Sequence, residues 1–211
     1  MQWVDVDGSR VRVLRTDTES EGPPLLLING MAARLEMWQP LCSAITDRPL
    51  LMFDFPGITG RPARDLPLEM PGLARWLGRP LDALDVESAD VLGYSWGGVL
   101  AQQFARDTSE RVRALVLAST NFGFGGVYSV GGYQRPIISL TGWTSLPWLQ
   151  ELTVSTLVVA GDDDPYVPSS TTRRLAQSIP RARLELIPGG GHLLPINQPN
   201  RLAQAIDDFL R

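Results

Sequence analysis

Short apolar runs recur along the chain and are separated by more polar stretches of variable length. Five runs are almost continuously apolar, namely PLLLI (24–28), PLLMFD (49–54), ADVLGY (89–94), VRALVLA (112–118) and STLVVAG (155–161), and a sixth, ARLELI (182–187), alternates more. Continuous runs of this length are typical of parallel strands that are covered on both faces. The first segment, QWVDV-DG-SRVRVL, instead alternates about Asp7-Gly8, which predicts an antiparallel hairpin.

Segments with a helical period lie between and after these strands. They cover residues 35–46, 96–106 and 169–178, and a C-terminal one carries Leu202, Ile206, Phe209 and Leu210 on one side. We expect Ser169 and Ser170 to serve as N-caps of the third helix. Residues 70–85 also have a helical period, but Pro80 lies in the middle, so we expect a helix to break or restart there. Strands that alternate with helices predict a doubly wound α/β fold, and we expect residues 1–211 to form a single domain.

Composition and charge narrow the function classes. The 211 residues have a net charge of −4, and all 19 basic residues are arginines spread along the chain, so no basic patch for nucleic acid is predicted. The absence of lysine excludes a P-loop lysine and a pyridoxal Schiff base. No apolar run is long enough to cross a membrane, and the N-terminus does not resemble a signal peptide. We therefore expect a cytoplasmic protein that binds neither nucleic acid nor membrane.

Cys42 and His192 are the single cysteine and the single histidine of the chain. One of each is too few for a zinc site of the usual spacing, so we expect no metal. Cys42 shares a helical stripe with Trp38 and Leu41, which indicates a packing role in the core. His192 is then the single candidate for an imidazole base.

The most informative short motif is GYSWGG (93–98), which stands where a predicted strand gives way to a predicted helix. A nucleophilic serine at such a corner has a strained backbone. Small residues two positions before and two positions after the serine leave room for it. Gly93 and Gly97 occupy those positions around Ser95. The corner would hold the Ser95 hydroxyl above the carboxyl edge of the sheet, at the N-terminus of a helix. The alternative is an ordinary turn that contains glycine.

A nucleophilic serine needs a base and an acid, and the sequence offers both at the same edge of the sheet. His192 follows three glycines after the last predicted strand, where its imidazole can act as the base. Asp162, Asp163 and Asp164 follow STLVVAG, and any of them could orient the imidazole. We favour Asp164 because it precedes Pro165 and lies deepest in the loop, whereas the first aspartate is still tied to the strand end.

Acyl transfer at a serine also needs hydrogen-bond donors for the oxyanion. The backbone N–H of Trp96, the residue after the serine, is one candidate. The backbone N–H of Met31 is the second, because Asn29-Gly30-Met31 brings the chain round after the strand at 24–28. Both donors are backbone groups, and Met31 is equally compatible with a pocket-lining role.

Along nearly its whole length the sequence resembles the α/β-hydrolase superfamily. The resemblance rests on NGM (29–31), FDFPG (53–57), GYSWGG (93–98), AGDDDPYVP (160–168) and GGGH (189–192). Within the superfamily, segments 93–120, 140–149 and 156–165 are similar to intracellular polyhydroxyalkanoate depolymerases. The resemblance implies an α/β-hydrolase fold and a serine esterase that cuts 3-hydroxyacyl polyesters without a cofactor. It also implies Asp164 as the acid and Met31 as the second oxyanion donor.

The sequence departs from the pattern of that family in three places. FDFPGITGRP carries an extra residue, Thr59, and continues to Arg61-Pro62 where the family more often has a serine. Pro80 interrupts a helix that the family keeps continuous. The helical cap that the family inserts after VRALVLAST is reduced to NFGFGGVYSVGGYQRPIIS. We therefore expect residues 121–150 to form a shortened cap or linker.

A cap shapes the acyl pocket of such an enzyme, so a minimal or absent cap predicts a shallow groove above the serine. We expect Tyr94 to contact substrate there. The candidates for the apolar walls are Phe122, Phe124, Tyr128, Trp143 and Trp148. The alternative is that these aromatic residues pack in the core or form a patch that a cap once covered. An uncovered apolar patch of this kind would favour self-association.

The sequence supports two hypotheses from different classes. In the first, the protein is a serine esterase whose substrate is a small or polymeric ester. In the second, it is a catalytically impaired or non-catalytic protein of the same fold that lacks a cap. Labelling of Ser95 by a fluorophosphonate distinguishes the two. A cofactor-free perhydrolase or a C–C bond hydrolase is a weaker third alternative.

Overall fold

One mixed β-sheet forms the centre of the molecule. The computed structural model describes residues 1–16, 22–31, 33–55, 67, 69–123 and 142–211. Within them lie the strands β1 (Gln2–Val6), β2 (Ser9–Arg15), β3 (Leu25–Ile28), β4 (Leu50–Phe53), β5 (Ala89–Tyr94), β6 (Val112–Ala118), β7 (Ser155–Gly161) and β8 (Ala182–Ile187). Their order in the sheet is β1-β2-β4-β3-β5-β6-β7-β8. The pairs β1–β2 and β2–β4 are antiparallel and the other neighbours are parallel, which confirms the predicted sheet.

Helices cover both faces of this sheet. They are α1 (Gln39–Ala44), preceded by a 3₁₀ turn at Leu35–Trp38, α2 (Met70–Asp82), α3 (Trp96–Asp107), α4 (Ser169–Ser178), α5 (Leu194–Asn197) and α6 (Pro199–Leu210), with further 3₁₀ turns at Ser109–Arg111 and Leu149–Glu151. Helices α2, α3 and α4 pack on one face, and α1, α5 and α6 pack on the other. In the described part of the chain, no helix is both long and apolar enough to cross a membrane.

The two covered faces explain why β3 and β4 are apolar at every position and the other central strands are largely apolar. In β3, Leu26 and Ile28 belong to the core on the α2–α3 side, whereas Leu25 and Leu27 belong to the core on the α1–α6 side. Successive side chains of a strand point to opposite faces, so a strand covered on both faces needs apolar residues throughout. The continuous apolar runs of the sequence are the direct result.

The turn between β1 and β2 has the geometry that Asp-Gly favours. Asp7 and Gly8 have φ angles of 52° and 76°, and Val6 pairs with Ser9 across them. A two-residue turn with positive φ at both positions matches the twist of the flanking strands. The backbone N–H of Gly8 also donates to the Asp5 carboxylate at 2.9 Å. The hairpin predicted from the alternating pattern is confirmed.

The prediction that a helix breaks at Pro80 is wrong. Helix α2 runs from Met70 to Asp82 and contains Pro80 inside it. Proline has no N–H, so the helix lacks one hydrogen bond to the carbonyl of Trp76. That loss falls in the last turn, where the buried apolar side of α2, including Leu77 and Leu81, holds the helix against the sheet.

The predicted N-caps of α4 are also wrong. Ser169 and Ser170 are the first two residues of the helix, and the N-cap is Pro168, without a side-chain capping bond. The Pro168 carbonyl accepts the backbone N–H of Thr171 at 2.8 Å. Because proline fixes φ near the value that a chain needs on entering a helix, it can begin the turn without a polar cap.

The segment predicted as a helix over residues 35–46 is a 3₁₀ turn followed by α1, which ends at Ala44. Cys42 lies on the inner side of α1, half-buried, with its Sγ 3.9 Å from Sδ of Met52. Burial raises the pKa of the Cys42 thiol to about 11. The thiol is therefore protonated and weakly nucleophilic at neutral pH, in agreement with a packing role.

Candidate active site

Ser95 stands at the corner between β5 and α3 in a backbone conformation that few residues adopt. Its φ is 53° and its ψ is −118°, which is strained for a residue with a side chain. A Cβ added at Gly93 would lie 2.5 Å from the carbonyl oxygen of Gly97, and one added at Gly97 would collide with the carbonyl oxygen of Ile28. These contacts explain why glycines flank the serine two positions away.

Hydrogen bonds to neighbouring elements hold this corner in place. The Ser95 backbone N–H donates to the carbonyl of Ala118 at 2.9 Å, and the Ser95 carbonyl accepts the N–H of Gly98 at 2.9 Å. The Thr120 hydroxyl donates to the same carbonyl at 2.7 Å. The backbone of the serine is thus fixed to β6 and to the first turn of α3, and its hydroxyl faces the histidine loop.

The imidazole of His192 lies between Ser95 and Asp164. Its Nε2 is 3.0 Å from Ser95 Oγ, and its Nδ1 is 2.8 Å from Asp164 Oδ2. An ionised carboxylate can only accept hydrogen bonds, so Nδ1 carries the proton and Nε2 can accept the serine hydroxyl. The structure therefore brings the serine, the histidine and the aspartate together in one hydrogen-bonded chain.

Asp164 is buried, and both of its carboxylate oxygens have partners. Oδ1 accepts the backbone N–H groups of Tyr166 at 2.8 Å and Val167 at 2.9 Å, while Oδ2 faces His192. Burial acts to raise the pKa of Asp164, but the hydrogen bonds from His192 and the two backbone N–H groups outweigh it and hold the pKa below its ordinary value of 3.8. The carboxylate is charged at neutral pH, as an orienting acid must be.

Asp162 and Asp163 contact the backbone of the loop that carries His192 and not the imidazole itself. The exposed carboxylate of Asp162 accepts the backbone N–H of Gly189 at 2.7 Å, and the backbone N–H of Asp163 donates to the carbonyl of Gly190 at 2.9 Å. A Cβ added at Gly161 would collide with the Gly190 carbonyl. The loop that carries Asp164 and the loop that carries His192 are therefore in direct backbone contact, which constrains the distance between these two residues.

A groove of about 450 Å³ opens beside the serine and the histidine. Its apolar lining includes Met31, Ala33, Met37, Val99, Leu193 and Ile196. Tyr94, the predicted substrate contact, lines the groove, and so do Met31 and Trp96, the two predicted oxyanion residues. The turn that carries Met31 lies close to the serine corner, since a Cβ added at Gly30 would be 2.9 Å from the Tyr94 ring. The structure thus places both predicted donors on the groove that contains the serine.

Comparison with known proteins identifies the family. The family described as alpha/beta hydrolase fold matches residues 23–136 and 134–199. The chain belongs to the α/β-hydrolase family. The poly(3-hydroxyalkanoate) depolymerase of Ectopseudomonas oleovorans is 34% identical to this α/β-hydrolase over 259 aligned positions, which cover 99% of this chain and 91% of the relative. The predicted family, and the similarity to polyhydroxyalkanoate depolymerases within it, are confirmed.

Solved structures share the fold at lower sequence identity. The enol-lactonase of Burkholderia xenovorans LB400 aligns with this α/β-hydrolase at a TM-score of 0.86 and 19% identity, over 99% of each chain. A thermophilic esterase of Thermogutta terrifontis aligns at a TM-score of 0.83 and 20% identity, over 100% of this chain and 97% of its own. Both comparisons confirm the predicted fold.

Three of the aromatic residues predicted as groove walls lie outside the groove of this α/β-hydrolase. Phe122, Trp143 and Trp148 belong to or pack against the core cluster beside α3. The indole N–H of Trp143 donates to Oε1 of Gln103 at 2.8 Å, and the Arg106 guanidinium lies 4.6 Å from the Trp148 ring centre. Of the two alternatives, the structure favours core packing for these three. The other predictions, Phe124, Tyr128, Thr59 and Arg61-Pro62, lie outside the described residues.

Two residues near the serine carry no recognisable signal in the sequence. The ring of Tyr166, which is largely exposed, lies edge-on to the His192 imidazole with ring centres 5.2 Å apart. Ser119 has a φ of 46°, lines the groove and buries a hydroxyl with no hydrogen-bond partner among the described residues. Tyr166 lies within AGDDDPYVP and Ser119 within VRALVLAST, but neither motif predicts a contact with His192 or a place in the groove for these two side chains.

Residue types that bind metals are not clustered in the part of the chain that the structure describes. No group of three or more His, Cys, Asp or Glu side chains there could hold a metal ion. The single histidine is engaged by Ser95 and Asp164. That the protein works without a metal or cofactor stays a prediction.

Proposed function

We propose that the protein is a serine esterase that hydrolyses carboxylic esters through an acyl-enzyme. The observation that carries the proposal is the hydrogen-bonded chain from Ser95 Oγ through His192 to Asp164, with distances of 3.0 and 2.8 Å. A serine hydroxyl is a weak nucleophile at neutral pH, and an imidazole within hydrogen-bond reach activates it. The buried, charged Asp164 keeps the imidazole in the required tautomer and stabilises it when it becomes positively charged.

The first half-reaction forms the acyl-enzyme. Ser95 Oγ attacks the ester carbonyl carbon as its proton passes to His192 Nε2, and the carbonyl oxygen becomes an oxyanion that accepts the backbone N–H groups of Met31 and Trp96. When the tetrahedral intermediate collapses, the bond between the carbonyl carbon and the alkoxy oxygen breaks. His192 then donates its proton to the departing alcohol, so the alcohol leaves neutral and Ser95 stays acylated.

The second half-reaction releases the acid. A water molecule gives a proton to His192 Nε2 as its oxygen attacks the acyl carbon, and the same two N–H groups stabilise the second oxyanion. The bond to Ser95 Oγ breaks, and His192 returns the proton to the serine. One ester and one water thus give one acid and one alcohol, with the enzyme unchanged.

The substrates that we propose are esters with an apolar acyl group, with 3-hydroxyalkanoate esters and their polymers as the first candidates. The apolar lining of the groove supports an apolar acyl group. The identity of 34% with a poly(3-hydroxyalkanoate) depolymerase, over almost the whole of both chains, supports the hydroxyalkanoate class.

We further propose that the cap above the groove is much shorter than in that relative. The alignment spans 259 positions, although this chain has 211 residues, so the relative contains sequence that this chain lacks. The two segments of the family match meet at residues 134–136, within the predicted cap. A short cap leaves room at the rim of the groove for a large alcohol or a polymer end.

An ester panel tests the proposed function. Purified wild-type protein is assayed on p-nitrophenyl esters of increasing acyl length and on a suspension of polyhydroxyalkanoate, with Ser95→Ala as the matched variant. We expect turnover by the wild type and a loss on the order of 10⁴-fold or more in kcat for the variant, because the nucleophile is gone. A Ser95→Ala variant that keeps wild-type turnover would exclude Ser95 as the nucleophile.

Covalent labelling separates the esterase from a non-catalytic protein of the same fold. A fluorophosphonate reacts with a serine only when a base activates it, so we expect the wild type to gain one adduct and Ser95→Ala to gain none. The mass of the tryptic peptide around Ser95 locates the adduct. A wild-type protein that is folded by circular dichroism but unlabelled would favour the non-catalytic alternative.

A further inference from the structure

Asn29 directly follows β3 and buries its side-chain amide beneath the turn that carries Met31. The residue is 1% exposed. Its Oδ1 accepts the indole N–H of Trp38, and its Nδ2 donates to the carbonyl of Ala33 at 3.1 Å. An indole N–H can only donate and a carbonyl can only accept, so the amide has a single orientation that satisfies both partners. The oxygen and the nitrogen of the amide therefore each make one hydrogen bond.

These contacts close the turn between Asn29 and Ala33. The backbone N–H of Ala33 donates to the carbonyl of Gly30 at 3.2 Å, so Ala33 is held through its N–H and through its carbonyl. Met31 lies between the two held residues. Met31 is 37% exposed, so packing holds its side chain only in part, and the hydrogen bonds at Gly30 and Ala33 on either side constrain its backbone.

Trp38, which donates to Asn29, lies in a 3₁₀ turn that is itself held by a hydrogen bond to Asp54. Trp38 is fully buried in the 3₁₀ turn before α1. In the same turn, the backbone N–H of Leu35 donates to Oδ1 of Asp54 at 2.9 Å, and buried Asp54 accepts Nε of Arg12 at 2.6 Å. A polar connection thus runs from β2 through Asp54 and the 3₁₀ turn to Asn29.

A buried amide costs desolvation, and an apolar side chain of similar volume would fill the same space without that cost. In some proteins, fully satisfied buried polar groups fix one geometry and add no net stability. We infer that Asn29 is a positioning residue that directs the backbone N–H of Met31 at the oxyanion. This inference rests on the proposed function, in which Met31 supplies one of the two oxyanion donors.

The test compares kcat and KM of Asn29→Ala with those of a control of similar stability. Leu41→Ala removes a buried side chain from the core cluster that also contains Trp38, and is expected to lower the melting temperature without removing either hydrogen bond of the Asn29 amide. Loss of a single oxyanion donor lowers kcat by roughly 10²- to 10³-fold in a serine hydrolase. A misdirected donor should cost Asn29→Ala roughly 10- to 100-fold in kcat, with little change in KM. Leu41→Ala should stay within about threefold of wild type.

A transition-state analogue gives a second readout, which a purely structural role would not change. A trifluoromethyl ketone forms an oxyanion on Ser95, so its affinity should fall in Asn29→Ala by about the same factor as kcat. Affinity for the product alcohol, which does not contact the oxyanion donors, should be unchanged. If Asn29→Ala does not fold, Asn29→Ser is measured in its place, since a serine is too short to reach both Trp38 and Ala33.

The two bonds of the amide can also be separated. Trp38→Phe removes the indole donor but leaves the bond from Asn29 to Ala33, so its loss in kcat should be smaller than that of Asn29→Ala. An equal loss in both variants, or a loss in Asn29→Ala no larger than in Leu41→Ala, would overturn the inference. Absence of turnover and of fluorophosphonate labelling in the wild type would instead overturn the proposed function.

Discussion

Asp164 loses most of its contact with water on folding, and its hydrogen bonds keep it charged nonetheless. Its folded-state pKa lies below the value of 3.8 that the carboxyl has in the unfolded chain. Between those two values the unfolded chain binds more protons, so stability rises with pH in that window. The contribution is fully present above the unfolded pKa and is lost as the pH falls through the folded pKa.

Replacement of Asp164 by asparagine should therefore flatten the acid side of the stability profile. We expect the free energy of unfolding of the wild type to decrease as the pH falls through 3.8 and below, and that of Asp164→Asn to decrease less, because the variant has no carboxylate to protonate there. Urea unfolding at a series of pH values measures both curves. Parallel curves for the two proteins would show that Asp164 does not contribute to acid sensitivity.

Single residues differ in how much the sequence reveals about them. Ser95 could be predicted because its strained corner demands glycines at fixed positions, and His192 because the chain has no other histidine. The choice of Asp164 among three aspartates depended on its place in the loop, which the structure supports through burial. Asn29 and Tyr166 could not be assigned, because their contacts with Trp38 and His192 exist only once separate segments have packed together.

At the scale of elements, the contact between the β7–α4 loop and the β8–α5 loop is the tightest constraint on the site. Gly161 and Gly190 touch through their backbones, and a side chain on Gly161 would push the two loops apart. The hydrogen bond between Asp164 and His192 spans these same loops. Separation of the loops should therefore weaken the acid–base pair directly.

Gly161→Ala tests this constraint, with Gly189→Ala as the matched control. We expect Gly161→Ala to lose at least about 2 kcal/mol of unfolding free energy, because the collision is with backbone that cannot rotate away. Gly189 has a φ of 64° but open space around its α-carbon, so Gly189→Ala should cost about 1 kcal/mol from strain alone. Urea unfolding and p-nitrophenyl ester turnover measure both variants. Equal losses in stability and turnover would contradict the expectation.

Strands were easier to predict than helix boundaries, for a physical reason. The central strands are covered on both faces, so their limits lie close to the limits of apolar runs, as for residues 24–28 and the strand Leu25–Ile28. The course of α2 through Pro80 is decided by packing of the helix against the sheet, which outweighs one absent hydrogen bond. The start of α4 at Ser169 is set by the turn at Pro168, which no capping pattern reveals.

At the scale of the whole molecule, the mouth of the groove is rimmed by exposed apolar side chains. Met31, Tyr166, Leu193 and Ile196 all line the groove and are between 37% and 75% exposed. Apolar side chains gathered at one place on a surface favour association. The net charge of −4 is small for a chain of this length and opposes contact only weakly. We therefore propose self-association through this face, which is not the patch of aromatic residues expected from the sequence.

Analytical ultracentrifugation over a range of protein concentrations tests it. We expect the weight-average mass of the wild type to rise with concentration, and that of Leu193→Glu with Ile196→Glu to rise less, because two charges would be placed on the rim. Circular dichroism of the double variant serves as the control for folding. A wild type that stays monomeric at every concentration would rule out association.

The acid–base pair depends on a strand that has a neighbour on one side only. Among the strands that the structure describes, β8 is the last of the sheet and pairs with β7 alone, and the loop after it carries His192. Edge strands open in local fluctuations that leave the rest of a domain intact. In mild denaturant, β8 should fray before the centre of the sheet does. His192 would then move away from Ser95, while the turn between β5 and α3 that holds Ser95 stays folded. Activity would then be lost before the protein unfolds. The stability of the edge strand, and not that of the core, would set how long the protein stays active.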